Sequence, residues 1–237
     1  VLRKRPAASA EAYESIWTEE GSPLVATSRK ATKHLEKQID LPIELAMRYQ
    51  NPSIGSALEK LAKQGVDDLL LIPLFPHYAM SSFETAVERV KELISKNHKG
   101  MSLKVQPPYY DHEGYIDALS NSMRPFLEAP FDKLLFSYHS IPKRHVTNYN
   151  AQTKSHCLKT EDCCEGCHPV HDVCYRAQCL KTTQAVVERL GLKPEQFAVS
   201  FQSRLGPEKW LTPTTENELH RFAKEGIKKL LVVCPAF

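Results

Sequence analysis

The feature that most constrains this chain is a gapless apolar run, Leu69–Phe75, placed directly after a helix-periodic segment and a glycine. A half-solvated strand alternates apolar and polar residues. An unbroken run of strand length is instead expected where both faces are covered, as in a parallel sheet between helices. Ile43–Tyr49, Ser102–Gln106, Lys133–Ser140, Phe197–Phe201 and Lys229–Val233 also read as strands. Between them, Ser53–Gln64, Phe83–Asn97, Glu113–Leu127, Gln178–Leu190 and Thr214–Ala223 carry apolar residues at helical spacing, such as Ala86, Val87, Val90, Leu93 and Ile94. Strand–helix alternation of this kind predicts an α/β fold built on parallel sheets flanked by helices.

The chain also echoes itself. Leu58–Phe75 (LEKLAKQGVDDLLLIPLF) and Leu219–Phe237 (LHRFAKEGIKKLLVVCPAF) each read as a helix, a closing glycine and a buried strand. Gly65 and Gly226 occupy the cap position where the backbone turns left-handed, a conformation only glycine adopts cheaply. Two similar Rossmann-like halves are therefore expected, over 1–129 and 130–237, with a seam near Glu128–Asp132 and the ligand cleft between them. Ligands of such folds bind beyond the carboxyl ends of the strands.

Composition narrows the function classes. With 237 residues the chain suits one large domain or two smaller ones, and a net charge of +3 scattered among acids gives no footprint for nucleic acid. No stretch reaches ~18 uninterrupted apolar residues, so no membrane span is expected. No apolar run follows the basic Val1–Pro6 to make a signal peptide. The chain starts without Met and stops on the strand-like LLVVCPAF, so further residues are expected at both ends. Of seven cysteines, six fall between Cys157 and Cys179, and Cys234 stands alone. Such density inside an otherwise plain α/β sequence points to a metal or iron–sulfur site in a reducing compartment rather than to a disulfide scaffold.

Three strand ends present chemistry-bearing side chains. Pro76-His77-Tyr78 follows Phe75, Ser137-Tyr138-His139-Ser140 follows Phe136, and Gln202-Ser203-Arg204 followed by Trp210 comes after Phe201. Imidazole beside large aromatic faces suits a flat conjugated ligand and a borderline metal ion. Each has a plainer reading: His139 and His77 as hydrogen-bonded structural residues, Trp210 as a core plug, Arg48 as an ion-pair partner.

Taken together, five blocks in order resemble the ferrochelatase family: MRYQNPSI (Met47–Ile54), PLFPHYAMSS (Pro73–Ser82), SYHSIP (Ser137–Pro142), FQSRLGPEKWLTP (Phe201–Pro213) and LLVVCPAF. The resemblance implies a cytoplasmic enzyme, with peripheral membrane contact and oligomeric state left open, that inserts Fe²⁺ into protoporphyrin IX. Metalation expels two pyrrole protons while the ion approaches the ring face. The family is understood to bend the macrocycle, at a strain of roughly 1–5 kcal/mol supplied by contacts to its rim. His139 matches the family's active-site histidine and would accept a pyrrole proton, bind the metal, or both. Arg48 and Tyr49 match a pair at the pocket mouth, where the guanidinium would hold a propionate. Trp210 would pack on the macrocycle, and His77 and Tyr78 sit at a strand end close to it. The acidic partner the family carries is expected beyond Phe237. Related chelatases acting on cobalt or coproporphyrin, and a non-catalytic sensor of the same fold, are the competing functions.

The segment at about 153–177 is longer than the family's usual loop. Cys157-x6-Cys164-x2-Cys167-x6-Cys174 supplies four thiolates around a tight centre, with Cys163 as an alternative to Cys164. Some ferrochelatases hold a 2Fe–2S cluster, which four thiolates satisfy. Zinc is the alternative, since His156, His168 and His171 lie nearby.

Overall fold

The computed structural model describes residues 5–236, which divide into two compact units. The first takes the residues up to Leu70 together with Arg89–Lys104. The second takes Leu71–Glu88 and the residues from Val105 on. No helix among the described residues is long and apolar enough to cross a membrane.

The first unit opens with α1 (Arg5–Glu14) and α2 (Pro23–Glu36), followed by α3 (Ile54–Lys63). Helix α3 buries Ile54, Ala57, Leu58 and Leu61, the i, i+3, i+4, i+7 stripe of an amphipathic helix. Its N-terminus is capped by Ser53, whose Oγ accepts from the Ser56 N–H at 3.1 Å. β1 (Asp68–Leu71) pairs with β2 (Ser102–Val105) in a two-stranded sheet. The pairing advances in one direction along both strands, from Ser102 N–H on the Asp67 carbonyl to Gln106 N–H on that of Leu71, so they run parallel. Between them in sequence a π-helical turn at Met80–Glu84, within the second unit, leads into α4 (Thr85–Asn97).

Two expectations are corrected here. Ile43–Tyr49 is not a strand: its only bridge joins Met47 to Ser53, within the turn that follows, and among the described residues no strand lies beside it to form a ladder. Leu69–Phe75 is not covered on both faces. Leu70, Ile72 and Leu74 are 53%, 47% and 63% exposed, and β1 has one strand neighbour, β2.

The second unit carries α5 (Glu113–Leu127), β3 (Lys133–His139), α6 (Lys143–Thr147), α7 (Ala151–His156), a 3-10 turn at Pro169–Val173, α8 (Tyr175–Leu190), β4 (Phe197–Gln202), α9 (Thr215–Lys224) and β5 (Leu230–Val233). The sheet is parallel in the order β4-β3-β5, with β3 central. This is where the gapless pattern is realised: Leu134, Leu135 and Phe136 are at most 2% exposed. Helix α5 packs against α8, and the core joins Ile116 and Met123 of α5 to Ala177, Cys179 and Val186 of α8. The internal echo holds locally, since α3–Gly65–β1 and α9–Gly226–β5 turn through glycines that both have φ +79°.

Candidate active site

β3 outruns its ladder. Its last pairing with β5 is Phe136↔Val233, whereas pairing with β4 continues to His139↔Gln202. The final residues are therefore held on one side by main chain and elsewhere by side chains. Ser137 Oγ lies 2.8 Å from Thr215 Oγ1, and Ser140 N–H donates to the Gln202 carbonyl at 2.7 Å. The run of buried residues along the strand ends with Tyr138, which is fully buried, and leaves His139 half-buried at the carboxyl end of the sheet. Burial holds the His139 pKa below the ordinary imidazole value, because a partly desolvated ring resists taking up charge.

Helix α8 supplies most of the support. Tyr175, Gln178, Thr182 and Thr183 follow one face at helical spacing and are all buried. The Tyr175 hydroxyl donates to the His139 carbonyl at 2.8 Å. Gln178 Oε1 accepts from the Tyr78 N–H at 2.6 Å, while its Nε2 donates to the carbonyls of His171 and Asp172. Thr183 Oγ1 lies 2.8 Å from the Tyr138 hydroxyl. The Thr182 hydroxyl donates to the Tyr110 carbonyl at 2.6 Å, so it accepts from His77 Nε2 at 2.9 Å, and His77 carries its proton on Nε2. The other ring nitrogen of His77, Nδ1, is buried with no hydrogen-bond partner among the described residues. Desolvation pulls the pKa of His77 down to about 3, which keeps the ring neutral. The ring stands edge-on to Tyr138 and Tyr175, with centroids 5.5 and 5.9 Å away.

The structure thus brings His77, Tyr78 and His139 onto one scaffold. His77 is 2% exposed and packs behind the strand end. Tyr78 packs edge-on to Tyr149 at 5.4 Å, and burial raises the pKa of its phenol, with the Glu84 carboxylate adding to the shift. Trp210 belongs to the loop after β4, which turns away sharply at Ser203, a non-glycine residue held at φ +66°. That loop is stitched to the segment after His139. Lys143 N–H donates to the Lys209 carbonyl at 2.8 Å and Leu211 N–H to that of Ile141 at 3.1 Å, while the Trp210 indole N–H reaches the Leu205 carbonyl at 3.1 Å. Arg48 and Tyr49 lie in the first unit, with the guanidinium 4.6 Å above the Tyr49 ring.

In the cysteine loop, Cys157, Cys163, Cys164 and Cys174 are buried and Cys167 is exposed. The sulfurs of Cys163 and Cys164 are 3.9 Å apart, and the thiol of Cys174 hydrogen-bonds with those of Cys157 and Cys164. Those bonds set the acidities first: Cys174 lowers the pKa of Cys157, while Cys157 pushes that of Cys174 up to about 11. Donors converge on the same sulfurs. Leu158, at φ +60°, points its N–H at Cys163 Sγ (3.3 Å), and Arg176 Nη1 lies 3.2 Å from Cys164 Sγ. His156 and His171 both direct Nε2 at the Cys163 carbonyl, at 2.8 and 3.0 Å. Among the described residues no group of three or more His, Cys, Asp or Glu side chains converges as a single-ion site. The chemistry of the donor set nevertheless suits thiolate ligation, because a main-chain N–H on Cys163 and a guanidinium beside Cys163 and Cys164 can offset thiolate charge.

Sequence reasoning passed over Tyr175, Gln178, Thr182 and Thr183. Their signal is present, as polar residues on a helix face where apolar ones are expected.

Comparison with known proteins places this geometry in a family. The ferrochelatase family model matches residues 1–237. The chain is 48% identical over 239 residues to a ferrochelatase of Ectopseudomonas mendocina, covering 100% of this chain and 70% of that protein. It is 46% identical to one of Opitutus terrae (100% and 69%) and 45% identical to one of Pseudomonas putida (100% and 71%). Among solved structures, SirB from Bacillus subtilis with Fe³⁺ aligns with a TM-score of 0.54 at 13% identity, over 89% of this chain and 82% of that one, a likeness of fold.

Proposed function

The chain belongs to the ferrochelatase family and is an enzyme that inserts Fe²⁺ into a porphyrin in haem synthesis; we propose that His139 is its central catalytic residue and protoporphyrin IX its substrate. One observation carries this reading: a half-buried imidazole, kept neutral by burial, at the carboxyl end of the central strand. Insertion replaces two pyrrole N–H bonds with iron–nitrogen bonds and releases two protons, formally a lyase reaction. A neutral imidazole offers one lone pair, so His139 takes a pyrrole proton or holds Fe²⁺, one at a time. We assign Arg48 and Tyr49 to a propionate and the porphyrin rim, and Trp210 to the macrocycle face. His77 and Tyr78 contribute from behind, by fixing the loop on α8.

We further assign a 2Fe–2S cluster to the cysteine loop, with Zn²⁺ as the alternative. The candidate ligands are Cys157, Cys164, Cys167 and Cys174, and the packing of the Cys163 sulfur among its neighbours supports Cys163 as a substitute. Such a cluster, when bound, supplies iron–thiolate bonds that cross-link the loop and a one-electron centre that metal insertion does not require. We place the enzyme in the cytoplasm. Exposed Tyr13, Ile16, Trp17 and Leu24 support peripheral contact with a membrane surface.

The test is anaerobic Fe²⁺ insertion into protoporphyrin by the full-length natural protein beside His139→Ala, with iron, zinc and acid-labile sulfide assayed on the same samples. A loss of about 10²–10⁴-fold in kcat with porphyrin still bound is expected. Activity within a few-fold of wild type would sink the role of His139, and zinc without sulfide would replace the cluster.

A further inference from the structure

The cysteine loop and the end of β3 meet through three consecutive residues. Cys174, one of the packed thiols, is the N-cap of α8. Tyr175, the first residue of the helix, donates its hydroxyl to the His139 carbonyl. Arg176 turns back toward the loop, with Nη1 at 3.2 Å from Cys164 Sγ and 3.6 Å from Cys163 Sγ. The Tyr175 ring cannot swing aside easily, because it is 4% exposed and stands edge-on to His77. At His139 the strand has already outrun its pairing with β5, which leaves this side-chain bond to replace a ladder contact there.

We infer that Tyr175 is a positioning residue for His139, through which the packing of the cysteine-loop thiols sets the place of the catalytic imidazole. A carbonyl that loses this bond lets the last peptide of β3 rotate, and the imidazole moves with it. Displacements on the scale of an ångström are enough to cost large rate factors when a reacting atom has to be met in register. Loosening the Cys163–Cys164 side pulls on Arg176 and hence on the first turn of α8, which carries Tyr175. The inference rests on the assignment of His139 in the proposed function, and the experiment separates the two.

Tyr175→Phe keeps the ring and its edge-on contacts and deletes only the hydroxyl. In the full-length protein it is expected to lower kcat for Fe²⁺ insertion roughly tenfold with KM for porphyrin unchanged. In metal-free full-length protein the imidazole ¹⁵N resonances of His139, identified by their loss in His139→Gln, are expected to shift in Tyr175→Phe. They are also expected to shift in Cys164→Ser when Tyr175 is present, and to shift much less when Cys164→Ser is made on the Tyr175→Phe background. Wild-type kcat and unmoved resonances in Tyr175→Phe overturn the inference, even if its melting temperature falls, because the hydroxyl is then merely structural. An undiminished Cys164→Ser shift on the Tyr175→Phe background also overturns it, since the coupling then runs elsewhere. If His139→Gln remains active, the catalytic assignment fails while the resonances still report whether Tyr175 holds the ring.

Discussion

Around Leu134–Phe136 the chain is held by a ladder on both sides and by nearly complete burial, whereas between Cys157 and Cys174 it has one 3-10 turn and a set of sulfur and imidazole contacts. The first region is stabilised by area removed from water and by main-chain bonds that the strand pattern guarantees. The second depends on particular atoms: a thiol on a thiol, a guanidinium on a sulfur, two imidazoles on one carbonyl. Substitution by something of similar size is tolerated in the first kind of region. In the second, the wrong element at one position removes the contact altogether. The catalytic candidate stands where the two meet, on a strand end whose ladder has become one-sided.

The contrast can be broken in three places. Phe136→Ala removes a fully buried ring from the central strand and is expected to cost about 3–5 kcal/mol by urea unfolding; a cost under 1 kcal/mol would mean that the sheet is not the rigid partner. Next in size is acidification. The folded pKa of His77, about 3, lies below the ordinary 6.5, so its contribution is whole above pH 6.5 and is lost as pH falls from 6.5 toward 3. Stability should fall by up to about 1.4 kcal/mol per pH unit across that window, and His77→Gln should flatten the slope; an unchanged slope removes His77 from the account. The smallest effects separate loop thiols. In metal-free protein Cys174→Ser should cost about 1–3 kcal/mol by thermal melting, because it puts a hydroxyl where sulfurs pack, while exposed Cys167→Ser should stay within about 0.5 kcal/mol. Equal costs would show that burial does not rank these cysteines.

Much of the fold was legible because apolar runs carry their own evidence. Lys133–Ser140 and Phe197–Phe201 read as strands and form strands, since β-propensity and burial agree there. Ile43–Tyr49 carries a similar local pattern and has no strand neighbour among the described residues, and periodicity says nothing about neighbours. The start of α8 was placed three residues late, at Gln178, because Tyr175–Ala177 follows a cysteine-rich stretch with no apolar period. Within the site, His139 was legible from its block, yet what holds it was not. Thr182 and Thr183 were expected only to lie in a helix, and the structure turns them inward toward His77 and Tyr138. Polar residues on an apolar helix face signal a buried hydroxyl without naming its partner, and the partners lie 45 and 105 residues away.

The polar face of α8 has a consequence for how the chain accommodates its long insert. Apolar contacts let a helix slide along a sheet at modest cost, but the hydrogen bonds of Tyr175, Gln178, Thr182 and Thr183 with three separate chain segments match at one axial setting only. The helix therefore takes its register from its own side chains rather than from the length of the connection leading into it. Lengthening that connection adds a loop-closure entropy that grows only logarithmically. Away from the packed cysteines, residues can therefore be added or removed in this connection without changing the axial setting of α8, which makes it a natural place for the chain to carry a metal-binding loop.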